Sequence, residues 1–241
     1  RKQRLDIYEP TVAFTTGDAP VVIFLHGGSW IKGDKVTIRV VDRFLHRMRE
    51  RGYFVVGEDY TTSVFRGLAG PLENTKEAIR FIARRAAFYG YDPEKIGLYG
   101  VSAGGHLAAM AASTMEQERF SFSFLFIECA PTDLVAMRDG EAFDNAALFK
   151  LFPEKRLEEL SPVNYVHAEL PPVLAFHGDA DTTVHINQSI RYVEAISEAG
   201  GEAELVRYPG GEHVFLNFPD ELWYRQESRA LSFFEERFSQ R

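Results

Sequence analysis

Gly100-Val101-Ser102-Ala103-Gly104 constrains this chain more than any other stretch. Glycines two before and two after a serine permit a sharp strand-to-helix turn, because bulkier side chains there would collide. The flanks read as that turn requires. Lys95-Ile96-Gly97-Leu98-Tyr99 is a short apolar strand, and 103–112 is a small-residue helix able to pack closely on a sheet. Such a turn lifts the serine hydroxyl clear of the backbone. Gly-x-Ser-x-Gly also occurs often by chance, so its weight comes from partners elsewhere in the chain.

The rest of the sequence alternates between apolar, β-branched runs and amphipathic stretches. Strands are expected over 11–16, 21–25, 53–58, 96–99, 122–128, 173–176 and 202–208. Val41, Phe44, Leu45 and Met48 recur at helical spacing, with Gly52 as a stop. Ile79 and Ile82 mark a helix over 72–88. Ile186, Ile190, Val193 and Ile196 mark another, beginning near Thr183 and stopped by Gly200-Gly201. Tyr224, Leu231, Phe234 and Phe238 mark a C-terminal helix. This alternation predicts an α/β fold with a mostly parallel central sheet and helices on both faces. With 241 residues and no linker or repeat, the chain reads as a single domain over 1–241. Residues 131–170 break the alternation. They are charged and dotted with Phe143, Leu148, Phe149, Leu151 and Phe152, and read as a small helical, lid-like insertion over one edge of the site.

Charge and cysteine content exclude several functions. Net charge is -8 with no basic stripe, which speaks against nucleic acid and against an anionic membrane surface as partners. Cys129 is the only cysteine, so no internal disulfide or cysteine-based metal site can form. That points to a reducing, cytoplasmic setting. The chain begins at Arg1, which also accommodates secretion with a leader removed. No His-x-x-x-His, His-Glu-x-x-His or clustered carboxylates are present, and no metal or cofactor is expected.

A serine becomes nucleophilic when a base takes its proton and a carboxylate holds that base in the right tautomer. The expected chain order on this fold class is serine, then acid, then histidine. His213, on the Gly210-Gly211-Glu212-His213 turn after the last strand, meets that order as the base. His26 and His177 end strands and precede glycines, and read as structural. His106 sits one turn after Ser102 and points along its helix. His46, His167 and His185 read as surface or helix-start residues. For the acid, Asp179 and Asp181 share one turn, with Asp133 and Asp59 after other strands as alternatives. Position after the penultimate strand favours the 179/181 pair. Stabilising an oxyanion requires backbone N–H groups aimed at it. Ala103, at a helix N-terminus, offers one, and the His26-Gly27-Gly28-Ser29-Trp30 loop offers a second. Trp30 and Phe215 read equally as core or pocket wall.

These stretches resemble the α/β-hydrolase superfamily, and within it small serine esterases of the hormone-sensitive-lipase and bacterial feruloyl-esterase-like type. The resemblance runs nearly the length of the chain. Its most specific parts are 26–34, 89–108, His177-Gly-Asp-Ala-Asp-Thr-Thr-Val184 and Gly211-Glu-His213. It implies an α/β-hydrolase fold, with Ser102 as nucleophile, His213 as base, and Asp181 as the acid of the His-Gly-x-x-Asp-x-x-Val pattern. It also implies the amides of Gly28, Ser29 and Ala103 as oxyanion donors. The implied activity is cofactor-free hydrolysis of small-molecule carboxylic esters, with acetylated or feruloylated sugars as substrates. Short acyl groups are expected because the insertion 131–170 is too small for a large lid, and its Phe143, Phe149 and Phe152 would wall a compact apolar pocket. An arylformamidase is the alternative chemistry, and a catalytically inactive binding module the alternative of another class. The chain departs from the family at Ser29, where a third glycine is usual, and at Asp59-Tyr60-Thr61, where arginine usually follows the tyrosine. Oligomeric state is left open.

Overall fold

Seven strands form one sheet in the order β1-β3-β2-β4-β5-β6-β7. The structure is a computed structural model and describes residues 4–34, 42–62, 68–115, 120–140 and 149–241. The strands are β1 (Arg4–Tyr8), β2 (Ala19–Leu25), β3 (Phe54–Asp59), β4 (Tyr91–Val101), β5 (Phe124–Glu128), β6 (Val173–Gly178) and β7 (Ala203–Tyr208). Only β1 runs antiparallel, against β3. The helices are α1 (Asp42–Arg49), α2 (Ala69–Tyr89), α3 (Ala103–Thr114), α4 (Leu134–Asp139), α5 (Glu154–Glu158), α6 (Asn187–Glu198) and α7 (Asp220–Ser239).

The period-2 alternation of strand side chains divides the interior into two cores. Val21, Ile23, Leu98, Leu125 and Ile127 face one way and pack with α2, α3 and α6. Val22, Phe24, Tyr99, Phe126 and Phe176 face the other way and pack with α1 and α7. Burial on both faces explains why the central strands read as continuous apolar runs rather than as alternating ones.

The topology fixes where a site can form. The chain passes from β2 to β3 on one side, then crosses back to lay β4 on the other side of β2. Ligands of open α/β sheets bind beyond the strand C-termini at such a reversal. Leu25 pairs with Gly100 there, so the loops starting at His26 and Ser102 emerge side by side.

Several expected elements differ from the structure. The N-terminal strand is Arg4–Tyr8, not 11–16. The free edge of β3 is taken by β1, which leaves 11–16 no strand to pair with. Leu5 and Ile7 pack on the core, and the charged Asp6 between them hides the apolar pattern. Helix α6 starts at Asn187 rather than near Thr183, because Asp181 Oδ1 accepts from the Thr183 and Val184 amides, both at 2.9 Å. Its buried face is Gln188, Ser189, Tyr192 and Ile196, so the helix is rotated from its isoleucine stripe. Gln188 is buried because its Oε1 accepts from the Thr132 and Asp133 amides, at 2.8 and 2.7 Å. Tyr224 is 54% exposed, with the Arg47 guanidinium 4.3 Å from its ring centre, and does not belong to the buried face of α7. Val41, Phe143 and Leu148 lie outside the described residues.

Candidate active site

Ser102 stands between β4 and α3 with φ 52° and ψ -121°. A non-glycine residue held at positive φ costs about 1–3 kcal/mol and persists only where its surroundings force it. Three contacts do so here. The Ser102 amide donates to Glu128 O at 2.8 Å, which ties the turn to β5. The His106 amide donates to Ser102 O at 3.1 Å, which starts the helix. Gly104 lies so close to β2 that a Cβ on it would collide with the carbonyl oxygen of Leu25.

His213 reaches Ser102 from across the sheet's C-terminal edge. Ser102 Oγ donates to His213 Nε2 at 3.1 Å, and His213 Nδ1–H donates to Asp181 Oδ2 at 2.7 Å. That pattern fixes the tautomer, since the carboxylate accepts only from a protonated Nδ1 and so leaves Nε2 unprotonated toward the serine. Asp181 is buried, and burial alone would push its carboxyl up. Hydrogen bonds from His177, His213 and the Val184 amide outweigh this and hold it well below the usual carboxylate range. Asp181 therefore stays ionised.

The other candidates for the acid are occupied elsewhere. Asp179 Oδ1 accepts from the Gly210 amide at 2.7 Å and pins the turn that carries His213. Asp133 caps α4, accepting from the Ala136 amide at 2.9 Å. Asp59 ends β3 opposite Arg4.

The remaining histidines have structural partners. His106 Nδ1 accepts from Trp30 Nε1–H at 3.2 Å, and its Nε2–H donates to Leu160 O at 2.7 Å. Burial pushes it down to about 4, so it is neutral. His177 Nε2–H donates to Val184 O at 2.8 Å and lies 3.3 Å from Asp181 Oδ2. His26 stacks on the Tyr60 ring at 4.1 Å, and the Tyr60 hydroxyl donates to His26 O at 2.8 Å. His46 pairs with Glu50 and His167 with Glu169 at the surface, while His185 Nδ1 accepts from the Asn187 amide.

The glycine loop lies beside the serine. Gly27, Gly28 and Ser29 line the same cavity as Ser102 and His213. Gly28 has φ +123°, and a Cβ on it would collide with Lys32 O. Ser29 and Trp30 follow at φ 54° and 60°. Trp30 is core rather than wall, anchored by His106 and packed edge-on against Phe149 at 5.7 Å. Phe215 is also fully buried. Ala103 is the first residue of α3, so its N–H has no acceptor within the helix.

The cavity, about 860 Å³, extends from Ser102 between α1 and α7. Its apolar wall comes from Phe24, Val101, Leu216 and Trp223. Phe149 and Phe152 do not line it. Phe149 is fully buried in the core beside α3, and Phe152 packs half-buried on that core. Sequence reading missed the polar end of the cavity. Arg43 on α1 and Glu227 on α7 line it and join at 3.0 Å, and Arg47 joins Glu227 at 2.8 Å. Glu128, the last residue of β5, lines it as well. The available signal was a carboxylate closing the apolar strand Phe124–Glu128.

A serine on a strand-to-helix elbow, bonded to a histidine that reaches over from beyond the last parallel strand of such a sheet, defines an α/β-hydrolase. The model of the family described as BD-FAE matches residues 5–196, and the chain belongs to that family. It is 28% identical over 245 residues to isoprenylcysteine alpha-carbonyl methylesterase ICME of Arabidopsis thaliana, covering 92% of this chain and 56% of that protein. It is 30% identical to esterase LipQ of Mycobacterium tuberculosis, covering 89% of this chain and 55% of that one. The chain thus spans about half the length of these relatives. Among solved structures it is similar to the propionate-bound Est2 esterase of Thermogutta terrifontis, with TM-score 0.78 and 29% identity over 98% of this chain and 90% of that one. Among the described residues, no helix is long and apolar enough to cross a membrane.

Proposed function

We propose that this protein hydrolyses small carboxylic esters through an acyl-serine intermediate. The observation that carries this is the unbroken chain Ser102 Oγ, His213, Asp181, with contacts of 3.1 and 2.7 Å. His213 Nε2 takes the serine proton as Oγ attacks the ester carbonyl carbon. The carbonyl oxygen gains the charge and is held by the amides of Gly28, Ser29 and Ala103, each donor worth about 3 kcal/mol at such a site. The imidazolium, stabilised by ionised Asp181, returns its proton to the departing alcohol. Water, deprotonated by His213, then attacks the acyl-serine, and Ser102 leaves with its proton restored. Every proton moves through His213, so no cofactor is required. In this reading the chain acts as one domain, with 131–170 as a small insertion, none of whose described residues lines the cavity.

The substrates proposed are short-chain esters, such as acetylated sugars. Bound propionate and butyrate in the Thermogutta terrifontis Est2 structures support the short acyl range. Each methylene that fits contributes about 0.8 kcal/mol until the pocket is full. On p-nitrophenyl esters, kcat/KM is expected to be highest from acetyl to butyryl and to fall steeply by octanoyl. No activation is expected at an oil–water interface. Fastest turnover of long-chain triglyceride would overturn the short-acyl assignment. Fast turnover of N-formylkynurenine with sluggish turnover of every ester would overturn ester hydrolysis.

The pH dependence follows from the two protonation states. His213 must be neutral to accept the serine proton, so kcat/KM rises with pH on the acid side. Asp181 is held low and stays ionised across this range, so the rise is a one-proton step. The same limb is expected in Glu128→Gln, which separates it from titration of the carboxyl in the cavity. A two-proton slope, or loss of the limb in Glu128→Gln, would contradict the assignment.

A further inference from the structure

Glu128 is 5% exposed, and its neighbours on that face of the sheet are Phe126, Phe176 and Val101. A carboxyl in such a place ordinarily has a cation or several donors. Glu128 has one. The Tyr99 hydroxyl donates to its Oε1 at 3.1 Å. Among the described residues no protein donor reaches Oε2, and no arginine, lysine or histidine pairs with the carboxyl. Arg43, which lines the same cavity, is paired with Glu227, as is Arg47.

A second observation lies beside it. A void of about 10 Å³ shares Tyr99, Glu128, Trp223 and Glu227 with the main cavity, and adds Gln226. Gln226 is 2% exposed, yet neither its Oε1 nor its Nε2 has a hydrogen-bond partner. A void of this size holds about one water or one hydroxyl oxygen. Two buried polar side chains, each with open hydrogen-bonding capacity, therefore converge on one small chamber off the cavity that holds Ser102.

We infer that Glu128 and Gln226 are specificity-determining residues that receive a hydroxyl carried by the ester, on the acyl or alcohol portion that fills this arm of the cavity. A hydroxyl matches the chamber better than an ammonium. It donates to the Glu128 carboxylate while accepting from Gln226 Nε2–H, and its single oxygen fits the volume. It also serves either state of the carboxyl. Burial pushes Glu128 up to about 7, against lowering by the Tyr99 hydrogen bond and with a further rise from Glu227. When protonated, Glu128 donates to the same oxygen. An ammonium would pair only with the ionised form.

This inference rests on the ester-hydrolase reading and is tested by matched substrate pairs. On the acyl side, p-nitrophenyl 3-hydroxybutyrate is compared with p-nitrophenyl 3-methylbutyrate. On the alcohol side, 2-hydroxyethyl acetate is compared with propyl acetate. In at least one pair the wild type is expected to prefer the hydroxylated member by about tenfold or more in kcat/KM, as a site built to bond a hydroxyl does. Glu128→Leu is expected to abolish that preference. Gln226→Leu, which removes an unpartnered buried amide and so leaves the packing intact, is expected to reduce it. Circular-dichroism melting checks that each variant is folded. Equal kcat/KM within both pairs, or a preference unchanged in both variants, would overturn the inference. The same pairs are titrated against Ser102→Ala by calorimetry, where the ratio of Kd values replaces the ratio of rates. Plain esters that the wild type leaves intact would overturn the ester reading alone, because the Kd ratio still decides the role of Glu128.

Discussion

Replacing Ser102 by alanine is expected to lower kcat on p-nitrophenyl acetate about a million-fold while leaving the fold in place. The size follows from the chemistry, since without Oγ no acyl-enzyme forms and His213 has no proton to move. The fold survives because the contacts that hold the elbow are made by backbone. The Ser102 amide bonds Glu128 O, and its carbonyl accepts from the His106 amide. Alanine at φ 52° is no worse placed than serine. Steady-state kinetics with a thermal melt checks both halves. Undiminished activity in a folded alanine variant would remove Ser102 from the reaction.

Asp181→Asn is expected to cost about ten-thousand-fold in kcat. The geometry gives the reason. Asp181 Oδ1 accepts from the Thr183 and Val184 amides at 2.9 Å, so an asparagine there must place its carbonyl oxygen on them. Its NH2 then occupies the Oδ2 position facing His213 Nδ1. That favours the tautomer with Nε2 protonated, which cannot accept from Ser102. Asp179→Asn keeps a carbonyl oxygen for the Gly210 amide and is expected to cost less than about tenfold. Measured in folded variants, the reverse ranking would move the acid two residues back.

The elbow, the alternation of strands and helices, and the loop histidine were legible because each is written locally. Glycines around one serine, apolar runs of strand length, and a turn after the last strand need no knowledge of the rest of the fold. Asp179 and Asp181 could not be separated that way. Both sit in one turn, and only the position of the Gly210 amide and His213 in space assigns them different partners. The edge strand Arg4–Tyr8 was hidden because it is only five residues long and Arg4 and Asp6 interrupt its apolar residues. The rotation of α6 was hidden because Gln188 is buried by hydrogen bonds rather than by apolarity. The aromatics of 149–152 read in sequence as part of a lid-like insertion, but Phe149 packs under Trp30 and helps fix the glycine loop from behind. The polar arm of the cavity escaped notice because Glu128, Gln226 and Glu227 come from β5 and α7, about a hundred residues apart, and meet only when the sheet closes.

The most direct test of the account is covalent labelling of the wild-type protein with a fluorophosphonate. The structures of Thermogutta terrifontis esterase 2 phosphonylated by cyclosarin and by sarin make such a probe a natural choice. Intact mass spectrometry is expected to show one adduct per chain, and peptide mapping to place it on Ser102, with esterase activity lost in step. Labelling of another residue, or full labelling of Ser102→Ala, would contradict the assignment of Ser102 as the nucleophile.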